Sequence, residues 1–178
     1  MKNLFYLFFV LSLFCVTIHS LDLTSCIELQ NMITDDPSVF YNVTTDIDCI
    51  GITTFATVGS QTNIFMGKIL GNNFTIKNLK TSGNNFLAII AQGKDCSVSD
   101  LNLRNITVSS TNAKYGGALF SYCSNCTLNN LNLSGSSVSI TGATLISVGG
   151  LIGYSTNIGI ISNSNVYQSI FSSNVRIG

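Results

Sequence analysis

The chain has 178 residues with a formal net charge of zero, and only 9% of its residues are charged. Nucleic-acid binding needs a dense basic face, and the lysines and arginines are scattered without runs, so this class of function is excluded. The length allows one domain with its own core, and serine, threonine and asparagine supply a polar surface suited to short strands and tight turns.

Residues 1–20 have the features of a secretory signal peptide. Lys2 provides the basic start, an apolar stretch runs from Leu4 to Ile18, and Ser20 is a small residue suited to the position before the cut. The apolar stretch is shorter than the about 20 residues that a membrane span needs. We therefore predict cleavage after Ser20, a secreted or cell-surface protein, and no transmembrane segment after cleavage.

Residues 21–39 are predicted to form an N-terminal cap. Ser25 and Glu28 have the spacing of a capping box, which begins a helix. Apolar residues then recur on one helical face, so we expect a helix from Cys26 to Ile33, ended by the turn around Pro37. A helix that precedes a repeat array commonly covers the open apolar end of that array.

From residue 40 onward the chain is repetitive. Each repeat has an apolar residue, a spacer, an Asn or Asp, and a second apolar run. The copies are Ile76–Leu79 (Ile-Lys-Asn-Leu), Val98–Leu103 (Val-Ser-Asp-Leu-Asn-Leu), Leu128–Leu133 (Leu-Asn-Asn-Leu-Asn-Leu) and a looser Ile161–Val166. No helical period separates them, so the fold class is all-β: a parallel β-helix over residues 40–178, whose coils stack strand on strand.

Stacking gives each repeat position a direction. Asn102 and Asn132 are expected to point outward, between apolar residues that point inward. The inward positions are Val98, Leu101 and Leu103, with Leu128, Leu131 and Leu133 above them. Asn and Asp at the bend tolerate a left-handed backbone, and stacked copies can hydrogen-bond to one another. We predict such a structural ladder from Asn78, Asp100, Asn130 and Asn163.

Five of the six cysteines follow the signal peptide, and secretion favours disulfides. Alignment of the repeats places Cys96 beside Cys126, and Cys26 and Cys49 bracket the N-terminal region, so we predict these two bridges. Cys123 is then left over, and a Cys96–Cys123 bridge is the competing arrangement. The spacing of Cys123 and Cys126 also fits a redox or zinc motif, although zinc would need two further ligands.

Five sequons lie in the mature chain, and in a secreted protein they predict glycosylated surface turns and outward strand positions. Because the chain is rich in asparagine, serine and threonine, we expect some of these sites to be unused. The sequon asparagines are Asn42, Asn73, Asn105, Asn125 and Asn132.

Candidate catalytic residues are few. His19, the one histidine, falls in the signal peptide, which excludes Ser-His-Asp, Cys-His and histidine metal sites from the mature chain. Carboxylates remain: Asp46 and Asp48 share one strand face, while Asp95 and Asp100 lie on one coil. Because catalysis or calcium binding needs converging groups in a cleft, we interpret these residues as structural and predict no catalytic residue, no metal and no cofactor.

Several stretches resemble secreted proteins with GLUG-type repeats. Tyr41–Cys49 is similar to the opening of that family's repeat, and Phe65–Leu79 to its Phe-x-Gly and Ile-x-Asn-Leu signature. Gly149–Tyr154, leading into Ile161–Ser164, resembles the repeat that names the family, and Gly116–Phe120 is a weaker copy. The resemblance implies a right-handed parallel β-helix of the kind found in adhesins and other surface proteins, and it implies no particular reaction.

We therefore predict a non-enzymatic β-helical module for adhesion or for extracellular matrix or coat structure, with carbohydrate or a surface or matrix protein as its partner. The alternative is a carbohydrate-active β-helix of the polysaccharide lyase or hydrolase type, or a carbohydrate-binding module, and an acidic groove would favour the enzyme. The chain reaches Gly178 as a further strand begins, so we expect a β-helix incomplete at its C-terminus or stacked end to end on a partner.

Overall fold

The computed structural model describes residues 19–141, 147–157 and 159–174. These residues form one short helix and seventeen strands. In chain order the elements are β1 (His19–Leu23), α1 (Cys26–Gln30), β2 (Val39–Val43), β3 (Ile47–Asp48), β4 (Lys68–Leu70), β5 (Thr75–Lys77), β6 (Lys80–Leu87), β7 (Ile90–Lys94), β8 (Ser97–Arg104), β9 (Thr107–Gly116), β10 (Phe120–Ser124), β11 (Thr127–Ser134), β12 (Ser137–Thr141), β13 (Ser147–Val148), β14 (Ile152–Thr156), β15 (Ile161–Ser162), β16 (Asn165–Tyr167) and β17 (Ile170–Asn174).

The strands form three parallel sheets that the chain visits in a fixed order. Sheet A has nine strands, six of them along the path β1-β2-β4-β8-β11-β15 and three, β3, β5 and β16, beside it. Sheet B is β7-β10-β14, and sheet C has five strands: β6, β9, β12, β13 and β17. The chain runs from A to C to B and returns to A, which makes one coil. We define coil I as residues 68–94, coil II as 97–124 and coil III as 127–156. This winding confirms the predicted parallel β-helix.

The register of β8 and β11 confirms the predicted core columns. Leu131 pairs with Leu101 and Leu133 with Leu103, and these side chains are at most 1% exposed. Asn132 pairs with Asn102 on the outward face, where its Nδ2 donates to the Asn102 Oδ1 at 3.0 Å. Apolar side chains therefore fill the interior from coil to coil, and amide side chains bond to each other along the outside.

The corners of the β-helix are made by residues with a left-handed backbone. Such a backbone costs most L-residues roughly 1–2 kcal/mol, and Asn, Asp and Gly tolerate it best. A first column joins sheet B to sheet A, a second bends the long sheet A strands, and a third joins sheet A to sheet C. The columns are Asp95, Asn125 and Asn157; Asn73, Asp100, Asn130 and Asn163; and Asn78, Asn105, Gly135 and Gln168, with φ between 48° and 64°.

Side chains within these columns form the rungs of ladders. The Asn130 Nδ2 donates to the Asp100 Oδ1 at 2.8 Å, as the predicted ladder requires. Asn163 lies opposite Asn130 in the register, and its Nδ2 donates to the Asn129 Oδ1 at 3.0 Å. The Asp100–Asn130 rung of the predicted ladder is therefore confirmed, whereas Asn163 bonds to Asn129 instead of Asn130.

The assignment of Asn78 to that ladder was wrong. Ile76 pairs with Leu103, so Asn78 stands opposite Asn105, whose Nδ2 donates to the Asn78 Oδ1 at 2.6 Å. Asn78 in turn donates to the Asp48 Oδ1 at 2.8 Å. The sequence alignment was wrong because Ile-Lys-Asn-Leu resembles the sequence at both corners of the long sheet A strand. Only the strand register shows to which of the two corners Asn78 belongs.

The N-terminal region confirms the capping box and shortens the helix. The Ser25 Oγ accepts from the Glu28 N–H at 3.3 Å, and the Glu28 carboxylate accepts from the Ser25 N–H at 3.1 Å. Hydrogen bonds from Thr24 and Ser25 hold the pKa of Glu28 below its usual value. The helix ends at Gln30 rather than Ile33, because Asn31 caps it and the Ile33 N–H donates instead to the Tyr41 hydroxyl.

Strand β1 precedes this helix and was not predicted. It pairs in parallel with β2, from His19 opposite Val39 to Leu23 opposite Val43. Residues 1–18, which hold most of the predicted signal peptide, lie outside the described residues. Within the described residues no helix has the length and apolar character that a membrane crossing requires.

Several apolar side chains of the last described coil are exposed. Ile161, Val166 and Tyr167 on sheet A are 58%, 44% and 53% exposed, and Ile170 on sheet C is 71% exposed. The residues opposite Ile161 and Val166 one coil earlier, Leu128 and Leu133, are fully buried. Ser134 and Ser137, which lie opposite Tyr167 and Ile170, are half-buried. Ile161 and Val166 therefore occupy inward positions that no described coil covers, whereas Tyr167 and Ile170 lie at outward positions.

Candidate functional site

A groove lined by aromatic side chains runs along the edge where sheet C meets sheet B. Two columns of side chains form it. Phe86 at the end of β6 pairs with Tyr115 at the end of β9, and Gln92, Tyr122 and Tyr154 pair across β7, β10 and β14. Parallel register places each side chain above its equivalent at the strand spacing of about 4.8 Å, so the two columns face each other across successive coils. We call this feature the aromatic groove.

Tyr115 is at the centre of the aromatic groove. Its ring centroid lies 5.1 Å from that of Tyr154, with the two planes only 23° apart, and 5.3 Å from that of Phe86. The Tyr122 ring lies 6.0 Å from Tyr115 and 5.8 Å from Tyr154. These separations are those of attractive aromatic pairs, so the rings hold one another in fixed orientations.

The groove is partly open to solvent and carries a few polar groups. It encloses a cavity of about 330 Å³, lined by Phe86, Tyr115 and Tyr122 and also by Ile64, Gln92, Gly93, Lys94 and Ser124. Tyr154 stacks on Tyr115 beside this cavity and is not part of its lining. The Tyr122 hydroxyl is fixed by a 2.6 Å hydrogen bond to the Thr156 hydroxyl. Lys94 is exposed and is the one charged residue of the lining. Aromatic walls with a few placed donors are typical of sites that bind small organic ligands.

Sequence reasoning missed this groove, although part of the signal was present. Tyr122 and Tyr154 are each the central residue of a strand that follows a glycine pair, and the two copies could have been aligned on those glycines. Phe86 and Tyr115 belong to another sheet. Their approach to Tyr122 depends on the angle at which sheet C meets sheet B, and no local sequence pattern predicts that angle.

The carboxylates considered for catalysis occupy structural positions. The Asp46 Oδ1 accepts from the Thr75 N–H at 2.8 Å, and the Asp95 Oδ1 accepts from the Asn125 Nδ2 at 2.7 Å. Asp48 accepts from Asn78 and forms a 3.6 Å ion pair with Lys77. The hydrogen bond from Asn78 is the main reason that the pKa of Asp48 lies below its usual value. None of these three carboxylates lines the groove, and neither does Asp100.

The cysteines confirm one predicted disulfide and correct the other. Cys26 and Cys49 are bonded, with their Cα atoms 5.4 Å apart, as predicted. The second bond joins Cys123 to Cys126, whereas the predicted bond joined Cys96 to Cys126. The predicted neighbours do meet: the Cys96 Sγ lies 3.0 Å from the Cys126 Sγ. The alignment of the repeats placed Cys96 beside Cys126 correctly. It could not show that Cys123, on the preceding strand β10, also reaches the Cys126 sulfur.

Cys96, Cys123 and Cys126 are the described residues closest to a metal-ligand arrangement, with all three sulfur atoms within 4.8 Å of one another. The Cys123–Cys126 disulfide uses two of these sulfurs, so Cys96 alone keeps a thiol. Burial raises the pKa of that thiol to about 12. A single protonated thiol is a poor zinc ligand, so the structure offers no basis for a zinc site here.

The five sequon asparagines differ in the environment of Nδ2, the atom to which a glycan is attached. Four of them donate Nδ2 to a side chain of the neighbouring coil, at distances from 2.6 to 3.1 Å: Asn42 to Asp22, Asn105 to Asn78, Asn125 to Asp95 and Asn132 to Asn102. Asn73 is exposed, and within the described residues its Nδ2 donates no hydrogen bond. Its Oδ1 accepts from the Asn130 Nδ2 at 3.5 Å, and a glycan on the Asn73 Nδ2 would leave that oxygen in place.

We expect Asn73 to have the highest glycan occupancy when the chain is secreted from a eukaryotic cell. Glycans at Asn105 or Asn125 would crowd rungs that the fold uses, so chains carrying them should fold less well and be under-represented. The measurement is peptide mapping of the secreted protein after enzymatic release of N-glycans, with Asn73→Gln as the control. Full occupancy at Asn125 with an empty Asn73 would contradict this expectation.

Comparison with known proteins leaves the family open. No protein-family model matches the chain, and no curated protein matches it. Among solved structures it is similar to a crystal structure of a candidate immunoglobulin A1 protease from Bacteroides ovatus, at 12% sequence identity and a TM-score of 0.41. That likeness covers 88% of this chain and 77% of the other. The register of its own strands defines this chain as a parallel β-helix protein with an aromatic groove between two sheets.

Proposed function

We propose that this protein is a secreted or cell-surface β-helical module that binds carbohydrate through the aromatic groove, in the service of adhesion or of extracellular matrix. The observation that carries the proposal is the cluster of Phe86, Tyr115, Tyr122 and Tyr154, held in fixed orientations and open to solvent. The GLUG-type resemblance is consistent with a surface role. The parallel β-helix supports it, because repeat folds present long faces for contacts.

The chemistry of the groove suits a sugar ring. A pyranose has an apolar face of C–H bonds and a rim of hydroxyl groups, so it fits an aromatic wall beside polar side chains. Phe86, Tyr115 and Tyr122 supply the wall inside the cavity, and Tyr154, stacked on Tyr115, extends it at the side. Gln92, Lys94 and Ser124 supply hydrogen-bonding groups at the edge of the wall. Lys94 would also favour a ligand with a carboxylate or sulfate group.

A binding role fits this groove better than hydrolysis or elimination. Glycoside hydrolysis uses two carboxyl groups on either side of the scissile bond. The lining of the groove contains no carboxylate, and Asp46, Asp48, Asp95 and Asp100 are engaged in corners and ladders. The proposal therefore keeps the module non-enzymatic, and it predicts capture of a saccharide without turnover.

The experiment is a binding survey followed by mutation of the groove. The purified chain is titrated calorimetrically with cello-oligosaccharides, chito-oligosaccharides and oligogalacturonides. For any saccharide that binds, Tyr154→Ala is expected to weaken affinity at least tenfold, about 1.4 kcal/mol, because aromatic anchors dominate such contacts. Tyr154→Phe keeps the ring and should retain most of the affinity.

The matched control is Tyr167→Ala. Tyr167 is 53% exposed, compared with 38% for Tyr154, and it lies on sheet A away from the groove. It should leave the affinity unchanged. Equal losses in the Tyr167 and Tyr154 variants would contradict the groove as the binding site. Release of new reducing ends from polygalacturonate by the wild-type chain would instead support the enzymatic alternative.

A further inference from the structure

We propose that Cys96, Cys123 and Cys126 form a disulfide-exchange unit with two pairings: Cys123–Cys126, at the end of coil II, and Cys96–Cys126, which joins neighbouring coils. The proposal is independent of the carbohydrate site. It rests on the position of a free thiol beside a disulfide in the core of the β-helix. Three cysteines share two bonding arrangements here, and the fold accommodates both.

The distances place the free thiol next to one sulfur of the bond. The Cys96 Sγ is 3.0 Å from the Cys126 Sγ, closer than non-bonded sulfur atoms usually approach. All three sulfurs lie within 4.8 Å of one another. The attack is therefore directed at Cys126, and Cys123 is the sulfur that leaves.

The backbone is already suited to the second pairing. Ser97 pairs with Thr127, so Cys96 and Cys126 are the residues that immediately precede a matched pair on neighbouring strands. Neighbouring strands lie about 4.8 Å apart, and disulfides join Cα atoms that are about 4.4–6.8 Å apart. In the present pairing, the Cα atoms of Cys123 and Cys126 are 6.2 Å apart. Exchange therefore requires rotation of side chains and little movement of the chain.

The step balances without an outside oxidant. Cys96 loses its proton to water or hydroxide, and the thiolate attacks the Cys126 sulfur. The Cys96–Cys126 bond forms as the Cys123–Cys126 bond breaks, and Cys123 leaves as a thiolate that takes up a proton. One disulfide and one thiol exist before and after the step, so it is an isomerisation.

The surroundings make this exchange slow at neutral pH and protect it from outside thiols. All three cysteines are at most 3% exposed. A Cβ added at Gly93 would lie 2.9 Å from the Cys96 sulfur and 2.6 Å from the Phe120 ring, so the packing here is tight and apolar. Burial, with the nearby charge of Asp95, raises the pKa of Cys96 to about 12. Few molecules carry the thiolate at pH 7, and the rate should rise about tenfold per pH unit up to pH 10.

The two pairings should differ in stability. Cys123–Cys126 closes a loop of 3 residues, whereas Cys96–Cys126 joins residues 30 apart. A longer loop restricts the unfolded chain more, so the inter-coil bond should stabilise the β-helix further. The exchange then moves the free thiol from Cys96 to Cys123 and adds a covalent link between coils II and III.

Tryptic mapping reads the pairing directly. Cys96 lies in the peptide 95–104, whereas Cys123 and Cys126 lie together in the peptide 115–176. The chain is incubated at pH 7 and at pH 9.5, quenched in acid, alkylated in denaturant at low pH and digested. We expect a pH-dependent increase of peptide 95–104 linked to 115–176, with the alkyl label on Cys123 by fragmentation. Label confined to Cys96 after long incubation at pH 9.5 would overturn the proposal.

Two single variants each leave only one of the two pairings possible. After export or refolding in oxidised glutathione, Cys123→Ser should contain the Cys96–Cys126 bond, and Cys96→Ser should contain Cys123–Cys126. We expect the Cys123→Ser variant to melt about 5 °C above the Cys96→Ser variant, because its bond closes the longer loop. Two free thiols in Cys123→Ser would show that the inter-coil bond cannot form, which contradicts the proposal. The peptide map of the wild-type chain tests the exchange even if neither variant folds.

Discussion

Replacement of Leu131 by alanine is expected to lower the free energy of unfolding by about 3 kcal/mol. Leu131 is fully buried in sheet A and lies directly above Leu101 in the strand register. Removing a buried leucine side chain costs its transfer free energy and leaves a cavity, and measured losses for this change range from about 2.7 to 5.0 kcal/mol. The effect should be large because the stacked coils above and below cannot close the space independently.

The measurement is urea unfolding followed by far-ultraviolet circular dichroism, with the midpoint and slope compared between variants. Ser134→Ala is the matched control. Ser134 lies on the same strand, in register with Arg104, and is only half-buried, so its loss should be within about 0.5 kcal/mol. Similar small losses in both variants would contradict a core built from the Leu101 and Leu131 column.

Removal of the Cys26–Cys49 disulfide is expected to cost about 3 kcal/mol. The bond joins α1 to the residue after β3, across a sequence separation of 23 residues. By the chain-entropy relation, a loop of this length stabilises the folded protein by about 3 kcal/mol, because the cross-link restricts the unfolded chain. The bond also holds the N-terminal helix on the core, where Leu29 is almost completely buried. The double variant Cys26→Ser/Cys49→Ser tests it by urea unfolding.

The double variant Cys123→Ser/Cys126→Ser is the control for that experiment. It also replaces two buried cysteines by serine, so the cost of burying the hydroxyl groups is similar in both variants. Its bond closes a loop of only 3 residues, for which the same relation gives about 2 kcal/mol. A smaller loss on removal of Cys26–Cys49 than on removal of Cys123–Cys126 would contradict the loop argument.

The aromatic groove is placed where the β-helix can vary without loss of its core. Inward positions are filled by columns of aliphatic residues such as Leu101 and Leu131, and corner positions are restricted to residues that accept a left-handed backbone. The outward positions within the strands have neither restriction. Tyr115 and Tyr154 occupy such positions, so their identity is not required by the winding of the chain. This freedom supports the binding role proposed for the cluster.

The corners show how far the sequence repeats can be interpreted. Asp100 and Asn130 are flanked by the same apolar residues, and their rung was predicted correctly. Asn78 has similar neighbours but belongs to the next corner, and the column of Asp95 and Asn125 was not identified. Each coil has several corners that demand the same residue types. A short motif therefore identifies a corner without saying which one it is.

The sequence by itself determined the parallel β-helix, the capping box, the Cys26–Cys49 bond and the inward columns. These features depend on local spacing and on repeats, in which like residues stack because neighbouring strands share one register. Only the tertiary structure decided the correct corner for Asn78, the meeting of Cys96, Cys123 and Cys126, and the aromatic groove. Those features depend on how one sheet turns into the next, and residues such as Tyr115 and Tyr122 meet through that angle rather than through any pattern along the chain.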